Sequence, residues 1–228
     1  MERYVLAAQK KEVEEAFDVG SSSEVMFKPN YNVIPGTVMP VVLMRDGERV
    51  IKSFEWGYRD AVGEEAEAEF KIEKVKESPD WDEKLKKEAC IIPVSGFYKW
   101  KETVEDPLPF YLRVISDDVT GFAGVCSSFE DKNGRTINTF AILTMPANAL
   151  VEPLDERMPV ILKSKEYESW LDGNARSLID KGFNADDLLP HMTVFRVPEL
   201  VNDPSNNSKE LIQPIPKLRN YDGSDNDD

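Results

Sequence analysis

The sequence contains few of the residues on which disulfide frameworks and metal centres depend. It has two cysteines, Cys90 and Cys126, and a single histidine, His191. Two cysteines without a CxxC motif exclude a disulfide framework, and one histidine excludes a His-rich metal site or a mechanism with two imidazoles. Both cysteines are predicted to be small core residues, and His191 to be a structural or surface residue. We therefore expect no metal and no cofactor.

Long apolar runs are also missing. No window approaches the roughly 18 consecutive apolar residues typical of a membrane span. The first residues, Met1 to Tyr4, show no basic region followed by an apolar one. We therefore expect no membrane association and a cytoplasmic, intracellular location. The dinucleotide-binding, P-loop, nucleophile-elbow and zinc-protease motifs are absent as well, so generic motifs assign no activity.

Positive charge is scarce relative to negative charge. The 228 residues include 28 Lys and Arg against 43 Asp and Glu, which gives a formal net charge of −15. A polyanion must be met by positive surface, so this balance argues against non-specific nucleic-acid binding.

Short strand-like runs dominate the sequence pattern. Asp46-Gly47 and Asn133-Gly134 are typical of hairpin turns between such runs. The predicted strands span residues 38–44, 49–56, 89–94, 96–100, 109–115, 121–128, 136–144 and 192–197. The predicted helices span residues 8–17, 80–88, 174–181 and 184–189, with a further short helix that Ser164 caps and Gly173 ends. Many short strands with a few peripheral helices predict an α+β fold around a mainly antiparallel sheet or barrel.

The domain organisation is predicted to be simple. No change in composition separates two domains, so residues 1–216 are expected to form one domain. Residues 221–228 hold four Asp and no strong core former beyond Tyr221, so residues 217–228 are predicted to be an acidic, disordered tail. The acidic stretch 63–69 lacks large apolar residues and is predicted to be a solvated loop or flap.

An ordered set of short segments carries more information than any single motif. In chain order the segments are Tyr31-Asn32-Val33-Ile34-Pro35-Gly36, Phe54-Glu55-Trp56-Gly57, Gly96-Phe97-Tyr98-Lys99-Trp100, Gly121-Phe122-Ala123-Gly124, Glu156-Arg157-Met158-Pro159 and Val201-Asn202. In this order and spacing they resemble the SRAP family (SOS response-associated peptidase, the abasic-site processing proteins). The resemblance covers roughly residues 3–214. It implies one compact, mainly β domain with a groove for single-stranded DNA.

The resemblance also implies a reaction whose key residues are replaced in this chain. In the family, an N-terminal Cys joins the ring-opened sugar of an abasic site, and an Asn, a Glu and a His surround that cysteine. Their positions are occupied here by Met1, Glu69, Lys99 and Asp155, respectively. The Trp-Gly continuation that usually holds a base-stacking wedge reads Tyr58-Arg59-Asp60-Ala61. We therefore predict a catalytically degenerate member, in which the Met1 amine, Lys99, Glu69 and Asp155 form a self-neutralised ion cluster.

Two alternatives remain open at this stage. An abasic aldehyde forms a Schiff base with any unprotonated amine nearby, so the Met1 α-amine or Lys99 could still cross-link DNA. Single-stranded DNA could instead be bound without chemistry by a local basic groove. The candidates for DNA binding in that groove are Arg3, Asn32, Lys71 and Arg157, with Lys74, Lys76, Lys99 and Lys101 as further candidates. The alternative is that these charged side chains are ordinary solvated surface groups. The remaining possibility is an interaction module for an unknown protein partner.

Overall fold

The computed structural model describes residues 3–20 and 25–215 of the chain. The strands are β1 Tyr4–Leu6, β2 Asn30–Val33, β3 Val38–Arg45, β4 Glu48–Trp56, β5 Glu69–Lys71, β6 Ala89–Val94, β7 Gly96–Lys101, β8 Leu108–Val114, β9 Thr120–Glu130, β10 Thr136–Pro146, β11 Arg157–Pro159, β12 Ile161–Leu162 and β13 Met192–Arg196. The α-helices are α1 Lys10–Ala16, α2 Ile72–Glu77, α3 Asp80–Glu88, α4 Tyr167–Ser169 and α5 Ala175–Lys181. Short 3-10 helices span Ser164–Glu166, Ala185–His191, Glu199–Asn202 and Lys209–Ile212, and a π turn spans Trp170–Asn174. The predicted acidic tail lies outside the described residues, so the domain boundary at 216 stays a prediction.

Five strands of the larger sheet close into a barrel. Their order is β10-β4-β3-β6-β9, and β9 pairs again with β10 to complete the ring. The pairing between β10 and β4 is parallel, whereas the other pairs in the ring are antiparallel. A second, antiparallel sheet has the order β13-β8-β7-β1-β2. The predicted α+β fold with a mainly antiparallel barrel is therefore confirmed.

Large apolar side chains fill the barrel and join it to the second sheet. Trp56 and Phe140 are fully buried, and their rings stack at 6.3 Å between centroids. Tyr4 of β1 packs against Trp56 at 5.1 Å. Burying such aromatic side chains supplies much of the stabilisation of a domain core. The contact between Tyr4 and Trp56 thus holds β1 against the barrel.

The local sequence signals were accurate where a turn joins neighbouring strands. Asp46 and Gly47 both have positive φ, 52° and 81°, as the predicted hairpin turn requires. Gly134 has φ 73°, and the Asp131 carboxylate accepts hydrogen bonds from the backbone of Asn133 and Arg135. Both predicted hairpins are therefore confirmed.

The predicted strands omitted the short strands β1, β2, β11 and β12, and the prediction also differed from the structure in three peripheral segments. The predicted acidic loop is shorter, because Glu69 begins β5, and helix α2 was not predicted at all. Residues 164–181 form a broken series of short helices, with Lys163 rather than Ser164 at the first N-cap and a break at Gly173 (φ 74°). Residues 185–191 form a 3-10 helix that contains Pro190, whose missing N–H disfavours a longer α-helix.

The cysteines and the histidine lie where the sequence predicted. Cys90 and Cys126 are unpaired and buried in the barrel core. Burial raises the pKa of the Cys90 thiol, which makes it a poor nucleophile. His191 is exposed at the end of its 3-10 helix.

Candidate functional site

Lys99 and Asp155 form the central ion pair of the site. Lys99 lies on β7, and only 6% of its side chain is exposed. Its Nζ is 2.5 Å from Oδ2 of Asp155, which lies just before β11. The other oxygen of Asp155 accepts the backbone N–H of Arg157 at 2.8 Å. The contact predicted between Lys99 and a carboxylate is therefore present.

The environment of Asp155 favours its charged form. Partial burial acts to raise its pKa, but the hydrogen bonds from Lys99 and from the Arg157 backbone outweigh that effect and lower the pKa overall. A folded-state pKa below the unfolded value of about 3.9 means that the ionised carboxylate stabilises the native state above that pH.

We expect Asp155→Asn to lower the free energy of unfolding by about 2 kcal/mol at pH 7, because the buried Lys99 ammonium would then face a neutral amide instead of a carboxylate. The difference in the free energy of unfolding between the wild type and the variant should stay constant down to about pH 4. It should then decrease as Asp155 of the native wild type becomes protonated. Urea denaturation at a series of pH values measures this difference. A difference that increases below pH 4 would contradict a lowered pKa for Asp155.

Arg157 joins three elements at the end of β10. Its guanidinium binds both carboxylate oxygens of Glu73, at 3.0 and 2.9 Å, and the carbonyl and hydroxyl of Thr144. The hydrogen bonds from Arg157 lower the pKa of Glu73. A bidentate pair of this kind is geometrically specific, so Arg157 fixes α2 against β10 and β11.

Glu69 and Lys71 lie beside the same strand end. β5 runs parallel to β10, with Glu69 opposite Ile142 and Lys71 opposite Thr144. Glu69 is half-buried and Lys71 is exposed. Met1 lies outside the described residues, so the proposed contribution of its amine to the ion cluster stays a prediction.

Arg3 and Asn32 hold the segment that contains residues 201–206. Arg3 donates to the Asn32 side chain, to the Val201 carbonyl and to the Asn202 carbonyl. The Nδ2 group of Asn32, which is only 4% exposed, donates to the carbonyls of Val201, Asp203 and Asn206 at 3.1–3.2 Å. Both side chains, which the resemblance assigned to DNA binding, are thus engaged with the chain's own backbone.

Trp100 forms one wall of the site. Its indole N–H donates to the Asn202 side chain at 2.8 Å, and the Arg3 guanidinium lies over its ring at 5.5 Å. A cavity of about 500 Å³ lies beside these groups. Its lining includes Arg3, Tyr98, Lys99, Trp100, Glu102, Pro107, Leu154, Asp155 and Asn202. The structure therefore brings Arg3, Lys99 and Asp155 together at one cavity, whereas Glu69, Lys71 and Arg157 do not line it.

The segment in place of the family's base-stacking wedge is held against α3. Arg59 pairs with Glu55 at 2.5 Å, and Asp60 pairs with Lys84 at 2.6 Å. The Tyr58 hydroxyl donates to Glu88 at 2.9 Å. The side chains of this segment therefore make contacts within the domain.

Glu73, Thr144 and Asn202 are site residues that the sequence did not single out. Glu73 lies four residues after Glu69, and Asn202 belongs to the Val201-Asn202 segment. Their polar character was the available signal. Among the described residues, no group of three or more His, Cys, Asp or Glu side chains is arranged to hold a metal ion. No helix in the described ranges has the length and apolar character needed to cross a membrane.

Comparison with known proteins places this site in a family. Residues 2–204 match the family model for SOS response associated peptidase (SRAP). The chain belongs to the SRAP family. The abasic site processing protein YoqW of Bacillus subtilis is 28% identical over 225 residues, which cover 92% of this chain and 98% of that protein.

A more distant relative and a solved structure also match most of the chain. The abasic site processing protein YedK of Escherichia coli is 22% identical, covering 81% of this chain and 84% of that protein. A crystal structure of a Bacteroides thetaiotaomicron protein superposes with a TM-score of 0.78 at 20% identity, covering 94% of this chain and all of that one. The SRAP match thus extends over nearly the whole chain.

Proposed function

We propose that this chain is a catalytically degenerate SRAP protein that binds single-stranded DNA without forming a covalent bond to it. The Lys99–Asp155 ion pair carries the proposal. The resemblance places the family's Glu and His at these two positions, and here they hold an ammonium and a carboxylate in direct contact. An intracellular, cytoplasmic location is part of the same proposal.

The geometry argues against Lys99 as a covalent nucleophile. A Schiff base requires an unprotonated amine that an aldehyde can reach. The Nζ of Lys99 donates to Asp155, and its side chain is almost fully covered. An abasic sugar entering the cavity would have to break this ion pair before any bond could form.

The cations that stay exposed near the site support non-covalent DNA binding. Arg3 and Arg157 are engaged in internal hydrogen bonds, and Lys76 donates to the Asp180 carbonyl. The side chains of Lys71, Lys74 and Lys101 are exposed, and their ammonium groups make no hydrogen bond or ion pair within the described part of the chain. Such lysines bind phosphates through salt-sensitive contacts that do not read the base.

The covalent step is tested with single-stranded DNA that contains one abasic site. The protein and, in parallel, the YoqW relative are incubated with this DNA, with and without borohydride, and separated on a denaturing gel. We expect no adduct with this chain. An adduct that disappears in the Lys99→Met variant would identify Lys99 as a nucleophile. An adduct that persists in that variant would identify another amine, and either result overturns the degenerate assignment.

Binding is tested by fluorescence anisotropy with labelled single-stranded DNA, with and without an abasic site. We expect equal affinity for both DNAs, since no reactive group distinguishes them, and a steady loss of affinity with added salt. Lys71→Glu with Lys101→Glu should weaken binding at least about tenfold, because two phosphate contacts become repulsive. Lys28→Glu with Lys132→Glu, which changes two exposed lysines elsewhere, is the matched control. Binding that never rises above background at low salt would overturn the DNA-binding part of the proposal.

A further inference from the structure

A second cavity lies among the short helices that follow β12. Its volume is about 540 Å³, within the usual range of about 300–1,000 Å³ for ligand sites. The lining includes the buried side chains of Met145, Ile161 and Leu188 and the half-buried side chains of Leu178 and Phe183. The floor is therefore apolar. None of these residues contributes to the cavity beside Lys99 and Asp155.

Charged residues form the rim of this cavity, and most of them are satisfied internally. Lys163 pairs with Asp187 at 2.7 Å, and the second oxygen of Asp187 accepts from Asn184 at 2.8 Å. The Glu166 carboxylate accepts the backbone N–H of Lys163. Lys165 and Lys181 are both exposed and make no hydrogen bond or ion pair with any residue that the structure describes. Lys165 nevertheless acts electrostatically on Asp187. With Lys163, Glu166 and Asp187 included, the rim carries three ammonium groups and two carboxylates, a net charge of +1, above the apolar side chains of the floor.

We propose that this cavity, the lysine-rimmed cavity, is a docking site for an acidic peptide segment of a protein partner. The apolar floor would take one or two apolar side chains of the peptide. Lys165 and Lys181 would pair with carboxylates that flank those side chains. This is the arrangement in which buried apolar anchors provide affinity and charged rims provide orientation and specificity.

Charge complementarity favours this occupant over a nucleic acid. Although the chain has a net charge of −15, the rim is net positive and attracts a short acidic segment locally, because salt at about 0.15 M screens the remaining acidic surface beyond roughly 8 Å. A nucleic acid would need several phosphate contacts along a track of cations. It would also leave the apolar floor unused. A small inorganic anion would likewise make no use of the floor.

The test uses a fluorescein-labelled peptide of sequence Asp-Glu-Phe-Leu-Glu-Asp and the full chain. We expect saturable binding with a Kd in the range of about 10–100 µM, as suits a small interface. Lys165→Glu with Lys181→Glu should weaken binding at least about tenfold. The Lys28→Glu with Lys132→Glu control should leave it unchanged. Ser169→Trp, which places a bulky ring at the cavity wall, should also weaken binding.

Three results would overturn this proposal. One is no binding of the acidic peptide at any concentration tested. Another is equal binding of a peptide in which every acid is replaced by its amide, because the lysines would then contribute nothing. The last is a Lys165→Glu with Lys181→Glu variant that binds single-stranded DNA more weakly but binds the peptide unchanged. None of these outcomes depends on whether the chain reacts with abasic DNA, so this proposal fails or holds independently of the proposed function.

Discussion

Replacing Lys99 by Glu is expected to lower the free energy of unfolding by at least about 3 kcal/mol. The substitution puts a second carboxylate against Asp155 at a position where the Lys99 side chain is only 6% exposed. Two carboxylates in contact repel each other, and water cannot reach the buried one to compensate. Urea denaturation monitored by circular dichroism measures the loss.

A charge exchange separates electrostatics from packing in this test. Adding Asp155→Lys to Lys99→Glu restores one positive and one negative group, so the double variant should recover more than half of the lost stability. Lys101→Glu is the matched single control, since Lys101 lies two residues further along β7 and is exposed. It should change stability by less than about 0.5 kcal/mol. Equal effects of Lys99→Glu and Lys101→Glu would contradict a buried ion pair.

Replacing Asn32 by Asp should be nearly as costly, at about 2–3 kcal/mol. The change removes the side-chain amide that donates to the carbonyls of Val201, Asp203 and Asn206. It also sets a carboxylate against these three carbonyl oxygens in a site that is almost closed to water. Backbone hydrogen exchange should become faster across residues 199–206, which include the three carbonyls that Asn32 binds.

The neighbouring Asn30 provides a matched control for this change. Its side-chain oxygen accepts a hydrogen bond from the backbone N–H of Asn32 at 2.9 Å. Asp at position 30 keeps that acceptor, so Asn30→Asp should leave both stability and hydrogen exchange close to wild type. If Asn32→Asp behaves like Asn30→Asp, then Asn32 does not hold residues 201–206 in place.

The parts of the fold predicted from the sequence are those with local signals. The turn chemistry of Asp46-Gly47 and Asn133-Gly134 located two hairpins, and apolar runs located the strands beside them. β5 was missed because it has three residues, none fully buried, and pairs with a strand about 70 positions away. Closure of the barrel through the parallel β10–β4 pairing is equally non-local, and no short-range pattern encodes it.

The candidate site, like the fold, could be predicted only in part from the sequence. The motif order located Lys99 and Asp155 together, although they are 56 positions apart. The Arg157–Glu73 pair could not be predicted, because it depends on the position of α2, which the sequence pattern did not indicate. Asn32 was interpreted as a DNA ligand, whereas the fold surrounds it with backbone carbonyls. A polar residue between two strand-forming neighbours, Tyr31 and Val33, was the available sign of that internal role.

The pairing of β10 with its short neighbours has a consequence for how such a protein can evolve. Main-chain hydrogen bonds of β10 with β5 and β11 set the backbone positions of residues 69, 71 and 157, whatever side chains they carry. The side chains at these three positions can therefore change while the strand pairing stays in place. The same independence makes positions 69, 71 and 157 suitable for introducing new side chains by substitution.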